Sequence, residues 1–136
     1  MPKLIVDIAV YTFDIDYNQH VSNIVFVRWM ELCRNRFFEV VGLSQELLAA
    51  QNCLPVVAET QIIYKQPVFF GQSIKVEMWL SELTKASCWM AFHFFNNDGV
   101  LVSTGRQKGV FINATTNRPT RPSPELRQKL EVYLAQ

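Results

Sequence analysis

The sequence predicts an α+β domain in which a strongly curved antiparallel sheet wraps around one long helix. Three observations carry this. Residues 23–42, NIVFVRWMELCRNRFFEVVG, run without an internal Gly or Pro and are apolar on most sides. Beyond Cys53 the hydrophobic period changes to two, in long stretches joined by short turns. One flat sheet cannot cover a helix that is apolar nearly all the way round, so the sheet must curl.

Taken in order, residues 4–13 are β-branched and apolar, which suggests a first strand. The helix follows after a polar stretch. Arg28, Glu31, Asn35 and Glu39 recur at three- and four-residue steps and mark one narrow polar stripe, and Gly42 is a C-terminal stop. At 1.5 Å per residue this is a rod of about 28 Å. Ser44 then caps a short helix, QELLAAQ. SIKVEMWLSEL alternates Ile74, Val76, Met78 and Leu80 against Lys75, Glu77, Trp79 and Ser81. ASCWMAFHFFN follows, then NNDG, whose Asp-Gly signals a hairpin. The return strand, VLVSTGRQKGVFIN, holds Gly105 and Gly109, which suggest bulges or a close approach of backbone. Ser123-Pro124-Glu125 starts a final helix with Leu126, Leu130 and Tyr133 on one face. Trp79 and Trp89 fall on the outer face of the sheet, and with open sheet edges they predict a homodimer.

Composition excludes several classes. A chain of 136 residues, 49% hydrophobic with net charge +1, reads as one compact domain rather than a disordered or nucleic-acid-binding chain. Only NRPTRPSPELRQK is locally basic, and it reads as a solvated tail. Cys33, Cys53 and Cys88 are odd in number and form no CxxC pair, so a reducing, cytoplasmic setting is expected. Asp7 interrupts the apolar start, which argues against a signal peptide, and no apolar run reaches the roughly 18 residues of a membrane span. Asn113-Ala114-Thr115 matches a glycosylation acceptor, a chance match without a secretion signal.

The chemistry concentrates in FDIDYNQHVSN, residues 13–23. Asp14, Asp16, Asn18 and His20 stand at alternate positions and would share one face of a strand. A calcium loop fails, because its Gly and bidentate Glu positions hold Gln19 and Val25. Zinc fails as well, since His20 and His93 have no ligand spacing. A polar strand face or an Asp/Asn-rich turn remains open. Against it, the motif runs straight into the start of the long helix. There, free backbone N–H groups near Ser22 and Asn23 and the helix dipole can hold a developing oxyanion. A nearby carboxylate could then drive attack on a carbonyl, the logic of acyl transfer or thioester hydrolysis. The nucleophile elbow of α/β hydrolases is absent.

DIDYNQHVSNIVFVRWMELCR resembles the signature of hotdog-fold acyl-CoA thioesterases. In length and layout the chain resembles the 4-hydroxybenzoyl-CoA thioesterase-like group. Asn18-Gln19-His20-Val21 with Asn23 resembles a segment of plant acyl-ACP thioesterases. YKQPVFFGQSIKV, with Tyr64, Pro67, Gly71 and Ile74, and VFINATTNRPTRPSPELRQKL extend the likeness over nearly the whole chain. The resemblance implies a single hotdog thioesterase domain over residues 1–136, a curved antiparallel sheet around one central helix. It further implies a homodimer or homotetramer with sites at the subunit boundary.

Carried onto these residues, the resemblance implies Asp16 as general base or nucleophile and the amide of Asn23 as the carbonyl-polarising donor. Asn18 and His20 would orient water, the carboxylate or the thioester, and Asp14 would only shape the turn. Tyr17, Asn18 and Gln19 stand where the 4-hydroxybenzoyl type carries Gly, which puts an aromatic substrate in doubt. Glu31 and Glu59 are alternative acids, as another branch of the family uses a helix Glu. Coenzyme A, part of the substrate rather than a cofactor, would need cations at the pocket mouth, for which Lys65, Lys85, Arg106 and Lys108 are candidates. His93 reads as structural. Three functions stay open: an acyl-CoA thioesterase; an enzyme for acyl carrier protein, whose acidic surface Arg118, Arg121 and Arg127 would meet; and a non-catalytic module that binds acyl groups or a partner. Hydratase chemistry on the same fold is a weaker fourth.

Overall fold

The computed structural model describes residues 2–135. In chain order these form β1 (Leu4–Ala9), a 3-10 turn (Thr12–Asp14), α1 (Asn23–Val40), α2 (Gln45–Ala50), β2 (Leu54–Tyr64), β3 (Ser73–Leu83), β4 (Ser87–Asn96), β5 (Leu101–Asn113), β6 (Arg118–Pro119) and α3 (Pro124–Glu131). The main strands make one antiparallel sheet in the order β1-β3-β4-β5-β2, and β6 adds a short pairing to the end of β5. The sheet curls around α1, the hotdog arrangement.

Alternation explains the core. Ile74, Val76, Met78 and Leu80 of β3 and Cys88, Met90, Phe92 and Phe94 of β4 all face inward and are buried. Leu4, Val6, Ile8 of β1 join them at one side, and Val25, Phe26, Trp29, Met30, Cys33 and Phe37 come from α1. Phe26 meets Trp29, Tyr64 and Phe94 edge-on at 5.0–5.3 Å between ring centres. Fully burying a ring such as Phe92 or Phe94 contributes about 1.5–3 kcal/mol. The NNDG hairpin forms as expected. Gly99 takes φ +77°, and the Asn96 carboxamide oxygen accepts from the Asp98 and Val100 amides at 3.0 and 3.1 Å.

Two expectations are corrected and two are made more specific. The first strand ends at Ala9, because the Tyr11 amide turns to donate to Asp14 Oδ2 at 2.9 Å and starts the 3-10 turn. The helix is not covered on most sides within one chain, for Ile24, Val27, Leu32 and Val40 remain exposed beside the polar stripe. The sheet irregularities lie at Val57/Glu59, Leu80/Glu82 and Phe94/Phe95 rather than at the glycines. Of the two readings for Gly105 and Gly109, close approach holds: a Cβ on Gly105 would stand 2.8 Å from Met30 Cε and 3.3 Å from the Gln61 carbonyl. Trp79 and Trp89 do lie on the outer face, half-exposed, and each ring carries a cation over it, Lys3 Nζ at 4.5 Å and the Arg106 guanidinium at 3.8 Å.

Candidate active site

The segment between β1 and α1 is a closed loop rather than a strand face. Ile15 and Val21 pair across it, the Ser22 amide donates to the Asp14 carbonyl at 2.9 Å, and the Val21 amide to Val68 at 2.8 Å. Residues 16–20 are therefore a tight turn fastened directly to the start of α1. Its geometry depends on Gln19, which takes the left-handed φ of +66°.

Asp16 organises that turn. Its Oδ1 accepts from the amides of Asn18 at 2.9 Å and His20 at 3.3 Å, while its own amide donates to the His20 carbonyl at 2.8 Å. Its second oxygen, Oδ2, accepts no hydrogen bond among the described residues. Asp14 points elsewhere: it is 5% exposed and holds the Tyr11 amide. The four polar residues thus do not share a face. Asn18 and His20 contribute backbone N–H groups to Asp16 rather than side-chain contacts. The His20 ring packs edge-on against Phe69 at 5.1 Å.

At the helix start, Ser22 is the N-cap but its side chain makes no capping bond, and no acidic side chain lies in the first turn. Among the described residues the Asn23 and Ile24 amides meet no acceptor, so two donors and the positive end of the helix dipole are left unsatisfied. The Asn23 carbonyl accepts the Tyr64 phenol at 2.9 Å, which pins α1 to the end of β2. Burial pushes the Tyr64 phenol up, so it stays a donor.

The candidate cations are scattered. Lys65 follows Tyr64 and lies at the helix-start end of the sheet. Lys85 is in the β3–β4 turn at the opposite end, while Arg106 and Lys108 lie mid-strand on the outer face, paired across from Gln61 and Glu59. Glu31 and Glu59 are exposed, and Glu59 accepts from the Gln61 amide nitrogen at 3.2 Å. Arg127 is engaged by Glu131 at 3.1 Å and by the Thr84 carbonyl.

The cavities lie at the other end of α1. One, of about 320 Å³, sits between α1, the start of β2, β5 and Leu130. A larger open groove beside it reaches α2. Neither touches Asp16 or Asn23. Sequence reasoning missed a polar pair whose Arg34 lines both. Gln107 is 1% exposed, accepts from Arg34 Nη1 at 2.5 Å and donates to Thr60 Oγ1 at 3.1 Å. Its signal was present, a carboxamide at a core-facing position of β5 between Gly105 and Gly109.

Residues 10–130 match the family described as the thioesterase-like superfamily. Among curated proteins, the L-carnitine dehydrogenase/betainyl-CoA thioesterase of Ruegeria pomeroyi is 27% identical over 111 residues, 82% of this chain. The aligned segment spans only 22% of that longer protein. A Staphylococcus aureus protein solved in complex with CoA superposes with a TM-score of 0.91 at 19% identity, covering 97% of this chain and 84% of that one. A DHNA-CoA thioesterase of the same organism gives a TM-score of 0.88 at 21% identity, covering 97% and 91%. At these identities the two structures share the fold.

Proposed function

Because the chain belongs to the thioesterase-like superfamily, we propose that it hydrolyses an acyl-CoA thioester to the free acid and coenzyme A. The observation that carries this reading is the pairing of a half-engaged carboxylate with unsatisfied amides. Asp16 Oδ2 is free in a turn fastened to the first residues of α1, whose Asn23 and Ile24 amides lack acceptors. The thioester carbonyl docks on those amides. Asp16 either takes a proton from water as it adds to the carbonyl carbon, or attacks that carbon itself to give an anhydride that water then opens. In both routes the amides hold the oxyanion, the C–S bond breaks and the thiol leaves with a proton. No cofactor is needed.

The site is completed by a second copy. β2 is an eleven-residue edge strand with one side unpaired, and Ile63 near its end is 62% exposed. Around the helix start Phe13, Tyr17, Ile24 and Phe70 are 60–98% exposed. Pairing two β2 edges antiparallel about a two-fold satisfies the unpaired side of β2 and sets the Tyr64 end of one copy against the Leu54 end of the other. The helix start of one chain then meets the cavity of its neighbour. Among the described residues no helix is long and apolar enough to cross a membrane. The three unpaired, buried cysteines suit a reducing compartment, which supports a cytoplasmic enzyme.

A panel of acyl-CoA and acyl carrier protein thioesters, read by free-thiol release, tests the proposal. Acyl-CoA turnover is expected. Asp16→Asn keeps an oxygen for the turn but cannot act as base, and should lower kcat by about 10²–10⁴-fold. Thiol release from carrier protein alone would move the substrate class. A folded protein with no release from any substrate, or a fully active Asp16→Asn, would overturn the assignment.

A further inference from the structure

We propose that Arg34 reads the far end of the acyl group and selects thioesters whose acyl chain ends in a carboxylate. This rests on the thioesterase reading above. Arg34 stands on the border of the cavity of about 320 Å³, whose other walls are apolar: Phe37, Val57, Leu80, Met90, Val110 and Phe111 among them. Its guanidinium is half-buried, and burial pulls its pKa down, with the neighbouring Glu31 charge acting in the opposite sense.

The guanidinium carries five N–H donors, of which Nη1 alone finds a protein side chain, the Gln107 oxygen. Gln107 is fixed from behind by its bond to Thr60, and because a guanidinium only donates, the Gln107 oxygen must be the atom that faces it. Among the described residues no carboxylate lies within 4 Å of Arg34. Glu39, a turn further on, is taken by Arg36 at 3.0 Å. Arg34 keeps solvent on the side of the open groove, and on the cavity side a carboxylate presented in the plane of its guanidinium can form two parallel hydrogen bonds. A methyl end gains nothing there, and a cationic end is repelled.

The position also fits the acyl end rather than the reacting carbonyl. Arg34 borders cavities that touch neither Asp16 nor Asn23 of its own chain. Antiparallel pairing of two β2 edges brings the cavity of one copy to the helix start of the other. The carbonyl is then held at one chain's amides while the acyl group enters its neighbour's cavity.

The test compares pairs of CoA thioesters of equal chain length ending in carboxylate or methyl, on the wild type, Arg34→Met and Arg34→Lys. Matched S-alkyl-CoA thioethers, which cannot be hydrolysed, report binding by calorimetry. The wild type should prefer the carboxylate in both kcat/KM and dissociation constant. Arg34→Met should shrink that preference about tenfold or more, and Arg34→Lys should retain part of it. A wild type that does not discriminate, or a preference untouched by Arg34→Met, overturns the inference while leaving hydrolysis intact. Conversely, no thiol release from either thioester with an Arg34-dependent preference among thioethers would sink the thioesterase reading and leave the pocket assignment standing. If Arg34→Met fails to fold, the wild-type ratio and Arg34→Lys decide.

Discussion

The phenol of Tyr64, the last residue of β2, donates to the carbonyl of Asn23, the first residue of α1, across 2.9 Å. This single bond joins the edge strand to the helix start whose amides are proposed to hold the oxyanion. Tyr64→Phe keeps the ring against Phe26 and removes only the bond. The expected stability loss is about 1 kcal/mol, seen as a lower urea midpoint at unchanged slope. Thiol release should fall several-fold beyond that, because the helix start is freed to shift. Equal kcat in the two proteins would show that the bond only fastens the fold.

The unpaired side of β2 yields a second prediction. Placing a charge at the exposed Ile63, as in Ile63→Asp, sets a carboxylate against the apolar Leu54 end of the other copy's β2 if copies pair through this edge. Sedimentation equilibrium should find a wild-type dimer and a folded Ile63→Asp monomer, and thiol release should disappear with the dimer. A wild-type monomer, or a monomeric variant with full activity, would contradict a site shared between copies.

Much of the fold was legible because β3 and β4 alternate strictly, so that Ile74 to Leu80 and Cys88 to Phe94 declare their inward parity. β1 was read too long, since the bond that ends it runs from a backbone amide to Asp14, which no periodicity marks. Asp16, Asn18 and His20 were recognised as a set, yet their relation was not. Alternation suggested a shared face, whereas the left-handed Gln19 folds them into a turn whose amides converge on one carboxylate oxygen. The Arg34–Gln107 pair was invisible because its partners lie 73 residues apart and depend on how the sheet curls.

Packing around Gly105 supplies a third prediction. Here the absent Cβ matters, not a special backbone angle: that atom would sit 2.8 Å from Met30 Cε and 3.3 Å from the Gln61 carbonyl. Met30 is fully buried, so its terminal methyl must shift within the packed core to admit the new one. Gly105→Ala should cost about 1–3 kcal/mol. Met30→Val, which shortens the opposing side chain, should recover part of that in the double variant, a coupling measurable in a denaturant-based cycle. Strict additivity would mean that Gln61 rather than Met30 resists the methyl.

The last prediction concerns His93, whose ring lies on the outer face, edge-on to Trp79 at 4.8 Å. Burial chiefly lowers its pKa from 6.5, Lys3 and Lys65 add to the lowering, and Glu77 opposes it. In the unfolded chain the imidazole titrates near its ordinary value of about 6.5. As pH falls through that value the unfolded chain takes up the proton first, so stability drops. The loss levels off once pH passes below the folded-state pKa and both states are protonated. A thermal-unfolding series from about pH 8 to pH 5 should show this acid limb in the wild type and a flatter one in His93→Gln. An NMR titration of the His93 ring carries the sign directly: a midpoint at or above the unfolded value would mean that Glu77 outweighs burial and the two lysines.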